Sequence, residues 1–164
     1  MRTLILLRHA KSDYPPGVVD HDRPLAPRGR REAALAGEWI GAHCPAVDEI
    51  LCSTAVRTRQ TAERTGLSAP TRYARTVYEA WPQRILDEIV LTAPDVDTLL
   101  VVGHAPGVPA LALALAGEGS DPQAVAGVAD HFPTSALAVL EVPGQWADLT
   151  EGAAVLRTFH LARD

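Results

Sequence analysis

The apolar run Leu4–Leu7 ends in Arg8 and His9, and similar endings recur along the chain. The short run Ile50–Cys52 is followed by Ser53 and Thr54, with Arg57 one helical turn further on. A weaker run before residue 79 leads to Glu79, and TLLVVG (98–103) leads to His104. Two arginines, two histidines and one carboxylate therefore stand just past successive apolar segments. Guanidinium forks match phosphate oxygens in pairs. A neutral imidazole is a nucleophile near pH 7, and a second imidazole, when protonated, donates to an oxyanion. A carboxyl group can protonate a leaving group. Phosphoryl transfer is the chemistry that uses all of these groups, because it asks a protein mainly for positioning and charge stabilisation. The backbone N–H of Ala105, at the start of a predicted helix, adds a donor. The neighbouring arginines would repel a cation, so neither a metal nor a cofactor is expected.

These groups can converge only if the elements that carry them do. Residues 2–8 read as a buried strand, and the proline-rich stretch 11–27 as an irregular loop. The spacing of Ala33, Ala36 and Ile40 predicts a helix over 28–44, stopped by Pro45. Further expectations are a strand at 48–53, a helix at 54–65, a weaker strand at 71–78, a helix at 81–93 and an apolar strand at 98–103. A helix from Pro106 follows, then a loop over 117–133 and two strands, 135–142 and 153–162. Strands alternating with helices predict an α/β fold: a three-layer α/β/α sandwich on a mostly parallel sheet of about six strands, with an antiparallel edge. Ligands of such sheets bind beyond the carboxyl ends of the strands, which is where Arg8, His9, Arg57, Glu79 and His104 fall.

The 164 residues suit a single domain spanning 1–164. A formal charge of -5 argues against nucleic-acid binding by bulk charge, so an anion site must be a local positive pocket. No apolar run is long enough to cross a bilayer. A strand pattern begins within three residues of the start, so no signal peptide is expected and a cytoplasmic location is. Cys44 and Cys52 form neither a CxxC nor a zinc pattern and read as free thiols. The first strand is followed by RHAKSD, without the glycines of a nucleotide-binding loop.

The segments LLRHAKSD (6–13), RPLAPRG (23–29), CSTAVRTRQTAE (52–63), VYEAWP (77–82), VVGHAPG (101–107) and FPTSALAVL (132–140) occur in an order that resembles the histidine phosphatase superfamily, branch 1. Within it the chain is most similar to phosphohistidine phosphatases of the SixA type. The resemblance covers nearly the whole chain and implies a phosphoglycerate mutase-like fold. By position it implies His9 as the nucleophile that becomes phosphohistidine. Arg8, Arg57, His104 and the Ala105 N–H would hold the phosphoryl oxygens. Glu79 would be the general acid, and Asp13 is a reserve candidate for assisting at the mouth of the site. Two positions depart from the family pattern: Ala10 replaces a glycine of the signature, and Ala105 stands where relatives often carry asparagine. Arg23 and Arg28 read as structural, Ser135 as a turn or strand-end hydroxyl, and His21, His43, His131 and His160 receive no function.

The reading that follows is a metal-independent phosphatase acting through a phosphohistidine intermediate on phosphohistidine in a protein. The 24 residues between Glu79 and His104 leave little chain for a large lid, which favours a protein-borne phosphate and disfavours a mutase. The alternatives are a small-molecule phosphomonoesterase of the same superfamily, or a catalytically weak phosphoprotein-binding module. Expected partners are a phosphorylated protein or small phosphomonoester, with neither nucleic acid nor membrane.

Overall fold

The computed structural model describes residues 1–164. Six strands form one sheet: β1 (Arg2–Arg8), β2 (Glu49–Ser53), β3 (Thr71–Ala74), β4 (Thr98–Gly103), β5 (Ala136–Val142) and β6 (Val155–Leu161). Their order is β3-β2-β4-β1-β5-β6. The first four run parallel, and β5 and β6 pair antiparallel at one edge. Five helices accompany them: α1 (Pro27–His43), α2 (Val56–Arg64), α3 (Pro82–Ile89), α4 (Gly107–Leu115) and α5 (Pro122–Asp130).

Alternation along the strands explains the layers. Leu4, Leu6, Leu99 and Val101 point to one face and pack with α3, α4 and α5 residues such as Ile85, Leu111 and Val128. Ile5, Leu7, Leu100 and Val102 point to the other, against Ala36 and Ile40 of α1 and Ala62 of α2. Strands covered on both faces read as unbroken apolar runs, which is why β1 and β4 stand out in the sequence. No helix is long and apolar enough to cross a membrane.

The expected α/β/α sandwich with its antiparallel edge is the fold found, with three local corrections. The strand expected over 71–78 ends at Ala74 and passes into a 3-10 turn, Arg75–Val77, because its only partner, β2, ends at Ser53 opposite Ala74. The helix expected over 81–93 stops at Ile89. The loop expected over 117–133 contains α5, which Asp121 caps by accepting from Ala124 N–H (3.0 Å) with Pro122 in the first helical position. That Asp-Pro start signal is legible, but the helix behind it is short, with only Ala124 and Val128 buried.

Candidate active site

Register, not proximity in sequence, assembles the site. Arg8 pairs with Gly103 across β1 and β4, and His9 N–H donates to Gly103 O (2.9 Å). His9 and His104, each one residue past its strand, are thereby held with ring centroids 5.2 Å apart. Cys52 pairs with Val102, so Ser53 ends β2 at the same level. The connections from β1 and β4 leave to opposite faces of the sheet, toward α1 and α4, and a crevice opens between them.

This crevice is a cleft of about 370 Å³ lined by Arg8, His9, Arg57, Glu79, His104 and Ala105. The structure thus brings together every residue singled out from sequence except the reserve. Asp13 does not line the cleft; its carboxylate accepts from Tyr14 N–H (2.9 Å), and its own N–H donates to Pro24 O (2.8 Å), which holds it in the loop outside the cleft. Lys11, Ser12, Tyr14, Asp20, Arg23 and Thr134 complete the lining.

The His9 ring is oriented by a 2.7 Å hydrogen bond between Nδ1 and the Ala10 carbonyl. A carbonyl only accepts, so Nδ1 carries the proton and Nε2 keeps its lone pair. Ala10 N–H donates to Thr61 Oγ1 (3.0 Å), which anchors the residue whose carbonyl sets this tautomer. Ala10 needs no positive φ, so the alanine fits where the family signature carries glycine.

Burial pushes the His9 pKa down to about 3, and the nearby cationic and imidazole groups push the same way. His104 is also lowered to about 3, by burial and then by Arg57. Its Nε2 lies 2.8 Å from Ser53 Oγ. That hydroxyl is fully buried and also accepts from Ala55 N–H (3.3 Å); His104 Nε2 is the one acceptor within reach of its own proton, which leaves His104 Nδ1–H as a donor.

Both histidines are neutral when folded and titrate near 6.5 when unfolded. The unfolded chain therefore binds more protons below pH 6.5, and stability present above that value falls as pH drops toward 3. Each histidine contributes a slope of up to roughly 1.4 kcal/mol per pH unit. Urea melts of the ligand-free protein at pH 7, 6 and 5 should show midpoints decreasing in that order. A flat series would show that the rings are already charged.

Arg57, on α2, is buried and donates from Nη1 to Asp20 O (2.7 Å) and from Nη2 to Asp20 Oδ2 (3.1 Å). Tyr78 O–H donates to the same carboxylate (2.6 Å). The Tyr78 hydroxyl and then Arg57 hold the Asp20 carboxyl below the usual range, while burial and Asp20 push the Tyr78 hydroxyl up to about 12. Arg8 donates from Nη1 to Phe132 O (3.0 Å). Arg23 stacks over the Tyr14 ring (4.0 Å) and lies 3.3 Å from Asp20 Oδ1, outside hydrogen-bonding geometry.

Five buried side-chain nitrogens have no hydrogen-bond partner, and four belong to arginines of this cleft: Arg8 Nε, Arg57 Nε, and Arg23 Nε and Nη1. Buried donors are normally satisfied. Their concentration around one cleft, in a chain of net charge -5, marks a place built for an anion. No cluster of three or more His, Cys, Asp or Glu side chains is arranged to hold a metal ion.

Glu79 is exposed at the rim, with φ of 53°. A non-glycine residue in the left-handed region is uncommon, and such strain collects at functional sites. Gly107 supports this bend: a Cβ there would collide with the Ala80 carbonyl, so glycine lets α4 start directly beneath it. Ser135 has φ of 68°, and its N–H donates to His9 O (3.1 Å) and Arg8 O (3.3 Å). Its backbone thereby pins the end of β1. Arg28 pairs with Glu32 one turn along α1.

Sequence reasoning missed Asp20 and Tyr78 and gave Arg23 only a structural role. Arg23 lines the cleft with its side chain about 11% exposed. The RPLAPRG segment was a signal for it, but Asp20 sits among prolines and glycine with no periodicity to mark it.

The profile of the histidine phosphatase superfamily (branch 1) matches residues 4–80. The structure is similar to one provisionally assigned as the phosphohistidine phosphatase SixA from Nakamurella multipartitia: 43% identity, 97% of this chain and 95% of that one, TM-score 0.89. The chain belongs to the histidine phosphatase superfamily. A second structure, provisionally assigned as SixA from Agrobacterium tumefaciens, is 30% identical over 97% of each chain with a TM-score of 0.79. An uncharacterized protein of Mycobacterium tuberculosis is 54% identical over 96% of this chain and all of its own length. Membership of this superfamily and likeness to SixA make the protein a phosphatase of the α/β type described above.

Proposed function

We propose that the protein is a metal-independent phosphatase that removes phosphate from phosphohistidine on a protein, through a phosphohistidine of its own at His9. The observation that carries this reading is the His9 ring: neutral, protonated on Nδ1 toward Ala10 O, and set beside Arg8, Arg57 and His104. His9 Nε2 attacks phosphorus in line, and the bond from phosphorus to the substrate nitrogen breaks. The electron pair goes to the departing imidazole, which takes a proton from the Glu79 carboxyl. Arg8, Arg57, the His104 Nδ1–H and the Ala105 N–H hold the equatorial oxygens. Water then attacks the phosphorus on His9, returns one proton to Glu79, and frees Nε2. Asp20 holds Arg57 in place, and Tyr78 holds Asp20.

Two features favour a protein-borne phosphate. Asp20, Tyr14 and Glu79 line the cleft and are all exposed, so nothing closes over it. The relatives provisionally assigned as SixA are phosphohistidine phosphatases by designation. The test is hydrolysis of a phosphohistidine protein, a phosphoserine protein and small phosphomonoesters with a chelator present. The expected result is undiminished turnover with kcat/KM highest for phosphohistidine. A small phosphomonoester preferred by tenfold or more would overturn the substrate, and loss of activity to the chelator would overturn the mechanism. In the same assay Glu79→Gln should slow p-nitrophenyl phosphate, which needs little protonation of its leaving group, far less than alkyl phosphates, slowed about 10²-fold. Equal slowing would remove Glu79 as the acid.

A further inference from the structure

Next to the catalytic cleft lies a second cleft of about 460 Å³, lined by Arg75, Thr76, Tyr78, Trp81 and Arg84, with Glu79 as the wall shared by the two. Arg75 comes from the 3-10 turn after β3, and Arg84 from the first turn of α3. Both are exposed, and neither reaches a carboxylate of this chain within ion-pair distance. Arg72, on the strand just before, is paired with Glu49 and Glu88. Arg75 and Arg84 therefore bring two unpaired positive charges to one cleft of a chain whose net charge is -5.

Trp81 adds an independent observation. Trp146 is buried with its N–H on Val96 O, and Trp39 is stacked between His43 and His160. Trp81 alone among the tryptophans is left open, 74% exposed. It also lines an adjoining recess with Glu79, His104 and Ala105, so the second cleft is continuous with the catalytic one. Exposed tryptophan and arginine are the side chains that most often anchor protein contacts.

We infer that the Arg75–Trp81–Arg84 cleft is a docking subsite for an acidic segment flanking the phosphorylated histidine of the protein substrate. This rests on the phosphohistidine reading above. Two guanidinium groups take aspartate or glutamate carboxylates, while the indole face covers the peptide backbone beside them. The subsite sets which phosphohistidine is presented, and leaves the chemistry at His9 untouched.

The test uses two phosphohistidine peptides that differ only in flanking Glu or Lys residues, with p-nitrophenyl phosphate as the third substrate. At low salt the wild-type protein should favour the Glu-flanked peptide by about 5- to 10-fold in kcat/KM, mostly through KM. The preference should shrink near 0.5 M salt, where screening is strong. The double variant Arg75→Glu, Arg84→Glu should reverse the preference and keep wild-type turnover of p-nitrophenyl phosphate. Trp81→Ala should weaken both peptides alike and spare the small substrate. No flank preference in wild type, or one that survives the double variant, would overturn the subsite while leaving the phosphatase reading intact. An equal loss on p-nitrophenyl phosphate would move the arginines into the catalytic machinery and also overturn it. Turnover of p-nitrophenyl phosphate with neither peptide hydrolysed would overturn the phosphohistidine reading itself, and this occupant with it.

Discussion

His9→Ala is expected to reduce phosphate release by about 10⁴- to 10⁶-fold, the scale seen when a covalent nucleophile is removed from an otherwise intact site. The nucleophile types at the end of β2 cannot replace it. Ser53 Oγ is engaged by His104 and the Ala55 N–H, and the Cys52 thiol is buried in the sheet with its pKa pushed up to about 12. His104 is turned by Ser53 so that its free nitrogen carries a proton. Arg8, Arg57 and Arg23 remain in the variant, so it should still bind inorganic phosphate. Wild type mixed with a ³²P-labelled phosphohistidine protein and quenched in alkali should carry an alkali-stable, acid-labile label that the variant lacks. A variant that retained a tenth of wild-type turnover would remove the covalent route.

Arg57→Ala is expected to cost about 10²- to 10³-fold in kcat, the scale of losing one preorganised charge-stabilising donor, about 3–4 kcal/mol. The guanidinium is buried and fixed by two bonds to Asp20, so it is aimed before substrate arrives. Arg57→Lys restores the charge but cannot make both bonds, and should recover only a small part of the loss. Arg57 also helps to lower His104, second to burial, so in the alanine variant the His104 ring should titrate above its wild-type value of about 3. An NMR titration of the histidine rings separates this effect from simple unfolding. Unchanged turnover in Arg57→Ala would sink the assignment.

Much of the fold was readable because burial leaves a local trace. Leu4–Leu7 and Leu99–Val102 are fully buried on both faces of the sheet, and a strand so placed has to be apolar throughout. Where such a run breaks into Arg8-His9 or His104, the polar residues must sit at the strand end, and in α/β proteins that end is the crevice. The types of Arg8, His9, Arg57, Glu79 and His104, and their phase relative to the strands, are therefore properties of the sequence by itself. So is the Ala10 substitution, which already says that no strained backbone is needed there.

Tertiary structure alone decided which strands are neighbours and in what register. The order β3-β2-β4-β1 sets Arg8 level with Gly103, and His9 is 5.2 Å from His104 only as a consequence. It also recruited Asp20, Arg23 and Tyr78. Asp20 meets Arg57 across 37 residues and Tyr78 across 58, from a proline-rich loop whose conformation is set by what it packs on. The left-handed turn at Glu79 belongs here too, because the close seat of Gly107 under Ala80 shapes it. Periodicity records which side of an element is buried, a short-range property repeated every few residues. Contacts between loops depend on where separate elements finally pack, and no local pattern encodes that.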